Sequence, residues 1–78
     1  TDVGFRETVL DGMTERQREA LRTATFGGFY DWPRAATSEE LAGTLGIAAS
    51  TFQYHLRAAE KKTMTALLGA GLTKPPEV

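Results

Sequence analysis

The chain reads as an all-α domain, and three features of its 78 residues predict this. Two capping-box signatures, Thr14 with Gln17 and Thr37 with Glu40, each open a stretch whose apolar residues fall three and four apart. Glycines close both stretches, at Gly27-Gly28 and at Gly46. A third apolar stripe, Phe52, Leu56, Ala59, Thr63 and Leu67, keeps helical spacing for longer than a strand runs.

Taken in order, residues 1–10 are the exception. Phe5, Glu7 and Val9 alternate with Arg6, Thr8 and Leu10, which predicts a short strand or extended arm. Such an arm, or the end of an upstream domain, is assigned to residues 1–12, with Asp11-Gly12 as its turn. The first clear helix follows Thr14, with Met13, Gln17, Ala20, Leu21, Ala24 and Gly28 on its inner stripe and Arg16, Arg18, Glu19 and Arg22 off it. Pro33 disfavours helix at Trp32, so residues 29–37 form a loop. Its Phe29, Tyr30 and Trp32 either cap a small core or form a patch for a partner or stacked ligand. A two-turn helix runs over residues 38–46, with Leu41, Ala42 and Leu45 inward and Glu39 and Glu40 in the first turn, where the helix dipole favours them. A long helix then covers residues 49–68, and residues 73–78 read as a loose tail after a unit spanning 13–72.

Size and composition exclude several classes of function. A chain this short has little room for an enclosed catalytic pocket. It has no cysteine and one histidine, His55, so thiolate metal sites and disulfides are excluded and a histidine-rich metal site cannot form. We expect no metal and no cofactor. No apolar run is long enough to span a bilayer, so no membrane association is expected. Ser50 and His55 lie five apart on one helix and do not face each other well, so no nucleophile has a base beside it and the chain is not expected to be an enzyme.

Net charge is −1, from nine basic and ten acidic residues, a balance that argues mildly against nucleic acid as partner. The charges are segregated, however. Residues 48–68 carry Arg57, Lys61 and Lys62 against Glu60, a net +2, and residues 14–28 carry three arginines against two glutamates, a net +1. Residues 1–13 and 29–47 each carry −2. Positive charge therefore gathers on two helices.

The unit that carries functional information is the pair of helices joined at Gly46-Ile47-Ala48. A short helix, a tight turn holding glycine and a second helix make a helix-turn-helix. Glycine meets the need for positive φ, Ile47 pins the turn to the core, and small Ala42 lets the helices approach. The second helix of such a motif leads with its N-terminal residues into the major groove of DNA. The side chains here suit groove reading. Ala49, Ser50 and Thr51 lead, Gln53 has the shape to read adenine, Tyr54 to meet phosphate or a thymine methyl, and Arg57 and Lys61 to take guanine or phosphate. Arg16, Arg18, Arg22, Thr37 and His55 are further candidates for phosphate contact, with a structural role the stronger reading for His55. The rival reading is a protein-interaction module, favoured by the low net charge and the aromatic loop. Met64, Leu67, Leu68 and Leu72 supply either a homodimer contact or cover for this subunit's own core.

The run Thr14-Glu-Arg-Gln-Arg-Glu-Ala-Leu21, then Glu40-Leu-Ala, Leu45-Gly-Ile47, Ser50-Thr-Phe-x-x-His-Leu56 and Glu60-x-Lys62, resembles the superfamily of LuxR-like and sigma-factor region-four helix-turn-helix domains. With Phe29-Tyr-Asp-Trp-Pro33 lengthening the loop after the first of these helices, it is more similar to the haloarchaeal bacterio-opsin activator family. The likeness covers about residues 13–68. It implies the DNA-binding output domain of a transcription regulator, a PAS or GAF sensor domain upstream, and a haloarchaeal cytoplasm. Ala48 departs from the family pattern, which has Ser or Thr at this cap. The loss costs about 1 kcal/mol, and Ser50 as the next cap would shift the helix start.

Overall fold

The computed structural model describes residues 2–69, and these form four helices with no strand among them: α1 (Asp2–Asp11), α2 (Glu15–Phe26), α3 (Ser38–Leu45) and α4 (Ala49–Gly69). The expected tail and Leu72 lie outside the described residues.

The first segment departs from the sequence expectation: residues 2–11 are helix, not an extended arm. Phe5 and Val9 satisfy both a period of two and a spacing of four, so the alternation fits either form. A lone strand would leave its backbone groups unpaired, whereas a helix pairs them internally. Val9 and Leu10 become half-buried, and buried Met13 continues the contact into the core. Two cations from other elements close the helix end, where free carbonyls accept charge-assisted hydrogen bonds. Arg18 Nη1 donates to the Leu10 carbonyl at 2.8 Å and the Met13 carbonyl at 2.9 Å. Lys62 Nζ, from α4, donates to the Gly12 carbonyl at 2.9 Å and to Gln17 Oε1 at 2.7 Å.

Both expected capping boxes form. The Gln17 N–H donates to Thr14 Oγ1 at 3.1 Å while the Thr14 N–H donates to Gln17 Oε1 at 3.0 Å. The Glu40 N–H donates to Thr37 Oγ1 at 3.2 Å and the Thr37 N–H to Glu40 Oε1 at 2.9 Å. These bonds hold the Glu40 carboxyl below its ordinary pKa, the Thr37 backbone N–H contributing most and its hydroxyl next.

The turn between α3 and α4 is a Schellman closure. Gly46 is left-handed (φ 72°, ψ 28°), its N–H reaches the Gly43 carbonyl at 3.2 Å, and the Ile47 N–H reaches the Ala42 carbonyl at 3.0 Å. Helix α4 begins at Ala49, with the Phe52 N–H donating to the Ala48 carbonyl at 3.0 Å. The absence of a Ser or Thr cap therefore does not move the helix start to Ser50. The Gly46 turn and the half-buried Ile47 fix the entry into α4 instead.

The core lies where α2 and α3 both pack on α4. Phe52, Ala24 and Ala59 are fully buried, with Ala20, Ala42, Leu41 and Leu56 around them. The alanines bring the helix axes close, and Phe52 supplies the bulk between them. Burying one such aromatic contributes about 1.5–3 kcal/mol.

Candidate nucleic-acid interface

Burial on one side of α4 decides what its other side presents. With Phe52, Leu56 and Ala59 inward, Ser50, Tyr54, Arg57 and Lys61 fall on the outer face, and all four are exposed, as is Thr51. Tyr54 is 71% exposed, its ring edge-on to His55 with centroids 5.4 Å apart. His55 itself is half-buried, at the margin of this face. Ala49 is half-buried and packs on the core, so it sets the angle of the first turn.

Gln53 sits on the flank toward α3. Its Nε2 donates to Ser38 Oγ at 2.9 Å, and Ser38 is the one buried polar residue among those described. The hydrogen bond joins the first residue of α3 to the second turn of α4 and holds the two helices of the motif in register. Thr37 lies next to it as the α3 cap, its side chain turned to Glu40.

The arginines of α2 divide into three environments. Arg18 is half-buried and holds the end of α1, Arg16 pairs with Glu19 at 3.1 Å, and Arg22 is exposed. The surface pair is worth little in itself.

The aromatic loop divides in the same way. Phe29 is half-buried with its ring edge-on to Phe52, centroids 6.5 Å apart. Tyr30 is half-exposed and donates its hydroxyl to the Glu60 carboxylate on α4. Burial and the hydrogen bond to that carboxylate push the phenol well above its ordinary pKa, with Arg57 acting weakly the other way. Trp32 is 97% exposed and caps nothing. It precedes a cis peptide bond to Pro33.

Arg34 completes the loop, a residue that the helix-turn-helix pattern does not single out. Its Nε donates to the Phe29 carbonyl at 3.0 Å and its guanidinium stacks on the Phe29 ring, 4.2 Å from the centroid. A signal for it exists in the sequence: an arginine placed directly after three aromatics and a proline.

Among the described residues no cluster of His, Asp or Glu is arranged to hold a metal ion, and no helix is long and apolar enough to cross a membrane.

The family model described as an HTH DNA-binding domain matches residues 13–65. The chain is 41% identical over 66 residues, 85% of its length, to the bacterioopsin transcriptional activator of Halobacterium salinarum. It is 45% identical over 58 residues to the transcriptional regulator NarO of Haloferax volcanii, and 40% identical over 58 residues to that organism's dimethyl sulfoxide reductase transcriptional activator, each match covering 74% of this chain. The chain spans only 10% of the bacterioopsin activator and 28% and 27% of the other two. No solved structure matches it.

Proposed function

The chain belongs to the family of helix-turn-helix DNA-binding domains, and on that premise we propose that α4 enters the major groove of double-stranded DNA with its outer face. The observation that carries this reading is the geometry of that face. Ser50, Thr51, Tyr54, Arg57 and Lys61 are exposed together on a helix whose opposite side is fully packed and whose entry angle is fixed by Gly46. Tyr54 reaches a base edge, and Arg57 lies where it meets either a base edge or the phosphate beside it; Lys61, one turn further along, meets the backbone. Gln53 orients the reading helix through Ser38 and has its amide oxygen left for the duplex. Of the α2 arginines, exposed Arg22 is best placed to approach a second phosphate, with Arg16 next and Arg18 held at the end of α1.

The regulators this chain is similar to are haloarchaeal and several times longer, which supports a role as the output domain of a longer transcription regulator; a PAS or GAF sensor upstream and a cytoplasmic setting complete the proposal. In that arrangement α1 joins the sensor to the DNA-binding unit of residues 13–72. Met64, Leu67 and Leu68 are 59%, 54% and 59% exposed on the last turns of α4, which supports pairing of two copies there. Catalysis has no part in this reading.

The test is an anisotropy titration of a duplex selected from a random library. Arg57→Ala should lose about 1–3 kcal/mol of discrimination between the selected site and a scrambled one, and Tyr54→Ala a smaller part of it, while both melt as the wild type does. Retained discrimination in both variants overturns the assignment of this face. A second reading, contact with the transcription machinery, is favoured by the exposure of Trp32. A photo-cross-linker at Trp32 that captures a polymerase or initiation-factor subunit would establish it.

A further inference from the structure

Between the aromatic loop and α4 lies a polar pocket of about 300 Å³, lined by Phe29, Arg34, Ser38, Gln53, Arg57 and Glu60 among others. Two arginines, Arg34 and Arg57, line one small space. Arg34 is fixed by its Nε, which donates to the Phe29 carbonyl, and by its stacking on the Phe29 ring. Arg57 lines both this pocket and the outer face that holds Tyr54 and Lys61. The pocket's one carboxylate, Glu60, already accepts the Tyr30 hydroxyl. Gln53 and Ser38 close the far wall by bonding each other. The two arginines outnumber that single carboxylate, so the pocket keeps a net positive charge, and a planar guanidinium matches the oxygens of a phosphate.

We propose that Arg34 and Arg57 clamp a single backbone phosphate of the bound duplex, at the edge of the groove that α4 reads. This rests on the groove-binding reading above and adds to it a residue from the aromatic loop. The loop is then the part that carries a cation to the backbone: Phe29 anchors it in the core, Tyr30 ties it to α4, and Arg34 projects from it. Arg57 sits at the junction, able to turn between a base edge and the phosphate.

The experiment uses the whole chain and a selected duplex, with affinity measured across a salt series. Arg34→Gln is expected to weaken binding roughly tenfold on selected and scrambled duplexes alike, as loss of a charge-assisted hydrogen bond does. It should reduce the log–log salt slope by part of the roughly 0.9 that a whole phosphate contact carries, because Arg57 still meets that phosphate. A scan of single neutral methylphosphonates should find one position that weakens the wild type more than Arg34→Gln does, and whose effect shrinks but does not vanish in Arg34→Gln because Arg57 still meets that phosphate. Unchanged affinity and slope in Arg34→Gln, or a methylphosphonate effect that persists at full size in it, overturns the clamp. Because Arg34 also stacks on Phe29, the wild-type chain supplies a reading that needs no variant. The Arg34 side-chain N–H resonances should shift when duplex is added, and resonances that stay in place overturn the proposal. Wild-type protein that binds no duplex at low salt removes the groove reading and the clamp with it, whereas wild-type binding with a silent Arg34 removes the clamp alone.

Discussion

Replacing Gly46 and Gly28 separately by alanine distinguishes backbone strain from steric conflict, because both glycines have positive φ but only one is crowded. At Gly46, φ is 72° and an added Cβ meets nothing within 4 Å. The cost of Gly46→Ala is therefore the left-handed backbone alone, about 1–2 kcal/mol, reduced by about 0.4–1 kcal/mol because alanine restricts the unfolded chain. The net loss is about 1 kcal/mol, or roughly 4–8 °C in melting temperature for a domain of this size. At Gly28, φ is 90° and the added Cβ would lie 2.4 Å from the Ala35 Cβ. The loop must then move against its own bonds, since the Ala35 N–H donates to the Gly28 carbonyl at 2.9 Å. Overpacking adds about 1–3 kcal/mol to the strain, so Gly28→Ala should melt well below Gly46→Ala. Gly46→Asn should fall between wild type and Gly46→Ala, because asparagine tolerates the left-handed region. Thermal melts followed by circular dichroism measure all three. Gly46→Ala melting at or below Gly28→Ala, or Gly46→Asn melting below Gly46→Ala, refutes the reasoning.

Other outcomes follow from individual contacts. Phe52→Ala empties the centre of the core at a cost of about 3–5 kcal/mol, most of the stability of a domain this small, and a urea titration should find it largely unfolded without denaturant. Lys62→Met removes the donor that holds the Gly12 carbonyl and Gln17 Oε1; amide hydrogen exchange should quicken in α1 while α3 stays protected. Because the capping bonds lower the Glu40 pKa in the folded state, its contribution to stability is present above the ordinary carboxylate pKa and is lost as pH falls through the lowered value. Urea midpoints across acid pH should decline less steeply for Glu40→Gln than for wild type.

Most of α2, α3 and α4 is legible in the sequence because their signals are local. Thr14 with Gln17, Thr37 with Glu40 and Gly46 each set a helix end through bonds spanning a few residues. Helix α1 is not, since the Phe5–Val9 spacing suits two backbone forms and the choice depends on Arg18 and Lys62 reaching it from elsewhere. The same distance problem obscures the site. Arg18 and Lys62 look like free cations in a sequence, yet both are engaged at the end of α1, while Arg34 gains its role from a ring five residues earlier and a pocket wall on α4. The aromatic loop looks like one feature in the sequence; the fold separates Phe29, Tyr30 and Trp32 into core, rim and solvent.

The most direct test of the central claim is to map amide chemical-shift changes as a selected duplex is titrated into the labelled protein. If the outer face of α4 reads DNA, the largest changes fall on residues 50–61, with a second set around Arg34 and Ser38. Changes confined to Phe5, Met64 and Leu67, or to the neighbourhood of Trp32, with residues 50–61 unmoved, would contradict it.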